Sequence, residues 1–197
     1  MLPSSMTSKI RNVRILPTNE AYLKTLYWFF SFPNERIGLN DLSEALKISK
    51  TTAKKIVLQL VDEEFLKKDE IGKVWRIYCN SGQLYNYSRK ICFNLSMVLE
   101  SEIIKEIGKI VPNSRAIILF GSYRKGDDTE NSDIDIAVEV LGNQELKIQK
   151  LGTIQKFGYR NNVTVNVHLY SQTKIDLNLF ANIANGIVLE GFLEVRP

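Results

Sequence analysis

From residue 18 onward the apolar positions follow a helical rhythm, with Leu23, Leu26, Tyr27 and Phe30 on one face. Thr18 or Asn19 would cap this helix, and Pro33 would end it. Residues 1–17 show little periodicity and end at Pro17, which reads as a flexible arm. Asn40 precedes a short helix with Leu42, Ala45 and Leu46 on its buried side. A tight turn at Ile48 and Ser49 leads into a second helix, which starts at Lys50 or Thr51 and buries Ala53, Ile56, Val57, Leu60 and Val61. Residues 65–73 then lead into the strand-like alternation of residues 74–78.

Residues 82–111 keep a helical period through Leu84, Tyr87, Ile91, Leu95, Val98, Leu99, Ile103, Ile107 and Ile110, with room for one break. Pro112 ends the stretch, and Asn80, Ser81 and Gly82 form the linker before it. Beyond it the pattern predicts a strand at 115–120, a polar loop, a strand at 134–138, a helix at 144–158 and a strand at 163–170. A helix at 173–185 and a short strand at 186–191 complete the chain. The expected fold class is α+β with two domains, the second an α/β domain on a small mixed sheet.

The helix, short helix, turn, helix and hairpin order resembles a winged helix-turn-helix domain. The resemblance places that domain at residues 18–80, a linking helical stretch at 81–112 and the second domain at 113–197. In the winged-helix family the second helix of the pair enters the DNA major groove. Its exposed positions here are Lys50, Thr51, Thr52, Lys54, Lys55 and Gln59, and the wing carries Lys67, Lys68, Lys73 and Arg76. Lysine and threonine suit phosphate contacts, and glutamine can read a base edge. The alternative is a protein-docking or dimerisation module, favoured by the acids Asp62, Glu63, Glu64, Asp69 and Glu70.

The loop after the strand at 115–120 carries the chemistry. Gly121-Ser122 is followed by ten residues, 123–132, and then Asp133-Ile134-Asp135. Residues two apart on a strand point to one face, so both carboxylates converge there. Such a pair can share one or two Mg²⁺ ions that hold the phosphates of a nucleoside triphosphate. Gly121 admits a phosphate close to the backbone, and Ser122 offers a hydroxyl and an N–H. Arg124 and Lys125 bring positive charge toward the leaving pyrophosphate, and Ser132 braces the loop. Asp127, Asp128 and Glu130 read as a solvated acidic loop.

At these residues the sequence resembles the nucleotidyltransferase superfamily that shares its fold with DNA polymerase β, and within it the small prokaryotic members. The resemblance implies transfer of a nucleoside monophosphate, AMP for instance, from NTP-Mg²⁺ to a protein or RNA acceptor. Small members of the family are antitoxins that nucleotidylate a partner toxin of the helical HEPN class. The family's third carboxylate comes from a later strand, and Asn166 stands at the matching place, flanked by Val165 and Val167. Asparagine offers an amide oxygen but no charge, and it cannot act as a base. His168 is the only histidine and shares a face with Thr164 and Asn166. It is either a base or metal ligand beside Asn166, or simply a polar residue near a strand end, the reading preferred on sequence alone.

Asn166 also motivates a different function: a DNA-binding regulator whose second domain holds nucleotide or a partner without turnover. Antibiotic or other small-molecule nucleotidylation ranks lowest, because the second domain is too small to add a substrate lid. Charge bears on the first domain only. Residues 1–80 carry 13 Lys/Arg and 9 Asp/Glu, whereas residues 81–197 carry 13 of each, so the whole net charge of +4 lies in the first part. Cys79 and Cys92 lack metal-ligand spacing and read as free thiols. No apolar run approaches the roughly 20 residues that span a bilayer. The chain is therefore expected to be cytoplasmic, with no membrane partner, and the helix at 82–111 offers a surface for a homodimer.

Overall fold

Asn19 opens the first helix by accepting the Ala21 N–H on its side chain at 2.9 Å. The computed structural model describes residues 19–195, so the expected arm and Thr18 lie outside the described residues. Helix α1 spans Glu20–Ser31, strand β1 Arg36–Gly38, helix α2 Leu39–Leu46 and helix α3 Lys50–Asp62. Strands β2, Leu66–Ile71, and β3, Val74–Cys79, follow as a hairpin turning at Gly72 and Lys73. The three strands form an antiparallel sheet in the order β1-β3-β2.

Helix α1 is buried around more of its circumference than a single apolar stripe predicts. Tyr22, Trp28 and Phe29 are buried along with Leu26 and Phe30, while Leu23 and Tyr27 are only half-buried. The cause is a second packing surface. Phe30 meets Phe65 on one side and Phe93 on the other, each with ring centres 5.4 Å apart. Helix α2 starts one residue before Asn40, with Gly38 at its cap, and Ala45 is exposed rather than buried. The turn to α3 is closed by left-handed Lys47 and by the Ile48 N–H bonding to the Ser43 carbonyl. Ser49 then caps α3, accepting the Thr52 N–H at 3.1 Å.

The expected long helical stretch is two helices, α4 at Leu84–Glu100 and α5 at Ile103–Ile110, broken where Glu102 adopts φ 54°. Strand β4 spans Ala116–Phe120, helix α6 Gly121–Lys125 and strand β5 Ile134–Glu139. Strands β6, Lys147–Phe157, and β7, Arg160–Tyr170, form a long hairpin, followed by helix α7, Leu177–Ala184, and strand β8, Ile187–Gly191. The sheet runs β6-β7-β5-β4-β8 and is mixed: β5 and β7 are parallel and the other pairs antiparallel.

Strand β6 corrects the helix expected at 144–158. Ile148, Leu151, Ile154 and Phe157 fall at three-residue intervals, which mimics a helical face. Instead β6 pairs with β7 along nearly its whole length, with a register shift between Lys150 and Gly152. As an edge strand it is only partly covered, and only Phe157 is fully buried, so its alternation is weak. Its turn, at Gly158 and Tyr159, docks on the end of α1, where Ser31 Oγ accepts the Tyr159 N–H at 3.0 Å.

One hydrophobic cluster runs from Phe29, Leu42 and Leu60 through Phe93 to Ile117, Ile134 and Val165. Among the described residues no helix is long and apolar enough to cross a membrane.

Candidate active site

Strand β4 is wholly buried and ends at Phe120, beside Asp135 in the register with β5. The next residue, Gly121, turns the chain into α6 with φ 71°. A β-carbon there would lie 3.2 Å from Asp135 Oδ2, so glycine keeps the space beside that carboxylate open. Asp133 stands exposed just before β5, and Asp135 is half-buried at its second position. Strand pleating turns both to the same side.

Strand β7 brings two polar side chains to them. Asn166, in register with Asp135, directs its amide toward Asp133 Oδ2 at 3.3 Å. His168 Nε2 lies 3.0 Å from Asp135 Oδ1, and its ring sits edge-on to Phe120 with centres 4.9 Å apart. The parallel β5-β7 pairing thus gives His168 a partner that the sequence did not identify, an aspartate 33 residues away. Ser122 is half-buried in the first turn of α6, while Arg124 is half-buried and Lys125 exposed at its end. Asp133 and Asp135 present two carboxylates on one side of β5. Among the described residues no group of three or more His, Cys, Asp or Glu side chains is arranged to hold a metal ion.

Behind this open face the loop is locked by groups the sequence reading missed. Asp128, expected in solvent, is buried and ion-paired to Lys90 of α4 at 3.0 Å. Lys90 also donates to the Asp128 carbonyl. Asn94 donates to Asp128 Oδ1 at 2.6 Å and to the Tyr123 carbonyl at 3.0 Å. Burial pushes the Asp128 carboxyl up and the Lys90 ammonium down, and their mutual attraction opposes both shifts. Arg160 of β7 donates to the Tyr123 hydroxyl and, at 2.7 Å, to the Ser132 carbonyl. Burial raises the Tyr123 phenol well above its ordinary value. Ser132 Oγ accepts the Thr129 N–H at 2.9 Å, so its hydroxyl is turned into the loop it was expected to brace. Of the other two acids in the loop, Asp127 is exposed and Glu130 accepts the Asn34 amide at 3.3 Å.

A trace of this lock was present in the sequence. Asn86, Lys90 and Asn94 recur at four-residue spacing, and all three are buried on α4. The apolar stripe predicted this face only in part: Val98 is buried as expected, but Leu84 and Leu99 are exposed, and Tyr87, Ile91 and Leu95 only half-buried.

The residues expected to meet DNA lie apart from these aspartates, on α3 and the β2-β3 hairpin. Lys50, Thr51, Lys54, Lys55, Gln59, Lys73 and Arg76 are exposed and Thr52 half-buried. Lys50, Lys54, Lys73 and Trp75 line a cleft of about 280 Å³. Gln59 donates its amide to Glu63 at 3.0 Å. Several acids thought to dilute this surface are paired: Glu63 with Arg89, Asp69 with Arg36, and Glu70 with Lys68.

Residues 100–185 match the model of the nucleotidyltransferase domain family. The nucleotidyltransferase domain so defined starts at the end of α4 and contains β4, the Gly121-Ser122 turn, both aspartates and all of β7. It supports nucleotidyl transfer as the general activity. No curated protein matches the chain.

Proposed function

We propose that the protein transfers a nucleoside monophosphate from a nucleoside triphosphate, ATP for instance, to a protein or RNA acceptor. The observation that carries this reading is the exposed Asp133 beside half-buried Asp135, facing the space that Gly121 keeps free, inside the matched domain. Gly121 and the Ser122 N–H and hydroxyl would cradle the triphosphate. Arg124 and Lys125 would face its pyrophosphate end. Asp133 and Asp135 fit a divalent cation, since Mg²⁺ favours one or two carboxylates together with phosphate oxygens and water. When bound it supplies charge neutralisation at the transferring phosphorus. In the reaction an acceptor oxygen bonds to the α-phosphorus, the bond to the β-phosphate bridging oxygen breaks, and pyrophosphate leaves. The acceptor proton passes to solvent or to a base other than Asn166, which has no basic group.

The test is parallel incubation of the protein and its copurifying partners with α-labelled and γ-labelled ATP. Labelling from the α position alone, lost in Asp133→Ala, supports the reading. Labelling that persists in Asp133→Ala refutes it.

A second reading rests on a separate surface. The order α1-β1-α2-α3-β2-β3, with β3 central in its sheet, supports a winged helix over residues 20–79. The three lysines around the Trp75 cleft suit a phosphate backbone. The proposal is that this unit binds DNA while the second domain acts on, or senses, nucleotide. Footprinting on the upstream DNA tests it, and absence of protection at low salt counts against it.

A further inference from the structure

We propose that His168 is a positioning residue for Asp135, a role that rests on the nucleotide-site reading above. Strand β7 has no carboxylate at the level of the two aspartates, yet it contacts both, through Asn166 at 3.3 Å and His168 at 3.0 Å. The histidine contact is the shorter and the better enclosed. Its side chain is 12 % exposed against 31 % for that of Asp135, and Phe120 stands against its ring.

The ring's environment selects its proton. Nδ1 is buried without a hydrogen-bond partner, while Nε2 faces a carboxylate oxygen. A lone pair on Nε2 would repel that oxygen, so the proton belongs on Nε2, and Nε2–H donates to Asp135 Oδ1. That bond fixes the carboxylate plane and leaves Oδ2 toward the space beside Gly121, 3.2 Å from where a β-carbon would stand. The bond occupies Oδ1 and leaves Oδ2 on the side where a cation would bind. Donors of this kind behind a ligating carboxylate typically change metal affinity by about 10–100-fold when removed.

Two measurements on the intact chain test the role, with thermal unfolding used to compare folded variants only. Because His168 is the only histidine, long-range proton–nitrogen NMR gives one imidazole pattern to assign. Without metal, at a pH where an ordinary imidazole is neutral, the proton is expected on Nε2; a ring protonated at Nδ1 alone overturns the proposal. The second measurement is Mn²⁺ binding by calorimetry or electron paramagnetic resonance. His168→Phe keeps ring packing but removes the donor, and about 10–100-fold weaker binding is expected. His168→Gln restores an N–H and should recover most of that loss. If Asp133→Ala loses Mn²⁺ while His168→Phe binds like wild type, the metal site stands and the role of His168 falls. If the wild type binds no Mn²⁺, both fall.

Discussion

Asp128 and Asp133 belong to one loop and have opposite environments. Asp128 is buried against the cation of Lys90 and the amide of Asn94. Asp133 is exposed, with only an asparagine amide beside it, and its neighbour Asp135 is held by an imidazole. A full-charge partner in a dry setting cancels the carboxylate and fixes the backbone. On the open side an asparagine amide and an imidazole stand beside the two carboxylates, with no lysine or arginine among the described residues bonded to either. The difference separates an acid that holds this loop from acids on its open face, although all of them read as acids of one polar stretch.

The strongest test of that contrast is to remove each side in turn. Lys90→Met leaves the Asp128 carboxylate buried without its cation, and a loss of about 3–5 kcal/mol is expected in urea unfolding. Adding Asp128→Leu should recover much of it, because the unpaired charge is then gone. Asp133→Asn should stay within about 0.5 kcal/mol of wild type, as an exposed substitution. Equal losses for Lys90→Met and Asp133→Asn would erase the distinction.

The seam around Lys90 carries its own reporter. Cys79 lines the same cleft as Lys90 and Asp128, and burial pushes its thiol up from 9.0 to about 11. Between those values the unfolded chain has released the proton and the folded chain has kept it. The stabilisation is therefore full below pH 9 and is lost as pH rises through about 11. A loss of up to about 3 kcal/mol from this group is expected, measured as the difference between wild type and Cys79→Ala across that range. In native protein near neutral pH, a thiol reagent should modify the exposed Cys92 and spare Cys79.

On the open side, Asn166→Asp would set a third carboxylate beside Asp133. Mn²⁺ should then bind more tightly, on the order of tenfold, while the metal-free protein loses stability through like-charge repulsion. Unchanged affinity would mean that Asn166 lies outside the cation's reach. The smallest effects belong to the first unit. Lys54→Ala or Lys73→Ala should each lower the salt dependence of DNA binding by about one unit of log–log slope. A slope insensitive to both would direct attention to protein docking instead.

What could be read from the sequence followed the range of the interactions concerned. The turn at Ile48 and Ser49, the Ala53-Ile56-Val57-Leu60 face and the Gly121-Ser122 to Asp133-Asp135 spacing are local, and they could be read directly. The environments of Asp128 and His168 could not, because Lys90 and Asp135 reach them only through tertiary packing. Strand β6 was hidden for another reason: an edge strand with three-residue apolar spacing and a register shift lacks the period-two signal. The buried face of α4 was legible only in part because Asn86, Lys90 and Asn94 share it with Phe93 and Val98.

The most direct measurement is calorimetric titration of the intact protein with ATP and Mg²⁺, beside Asp133→Asn. Saturable binding by wild type is predicted, at least about tenfold weaker in the variant, with the unfolding midpoint unchanged. Equal binding by both proteins, or none by wild type, would contradict the assignment of Asp133 and Asp135 as the nucleotide site.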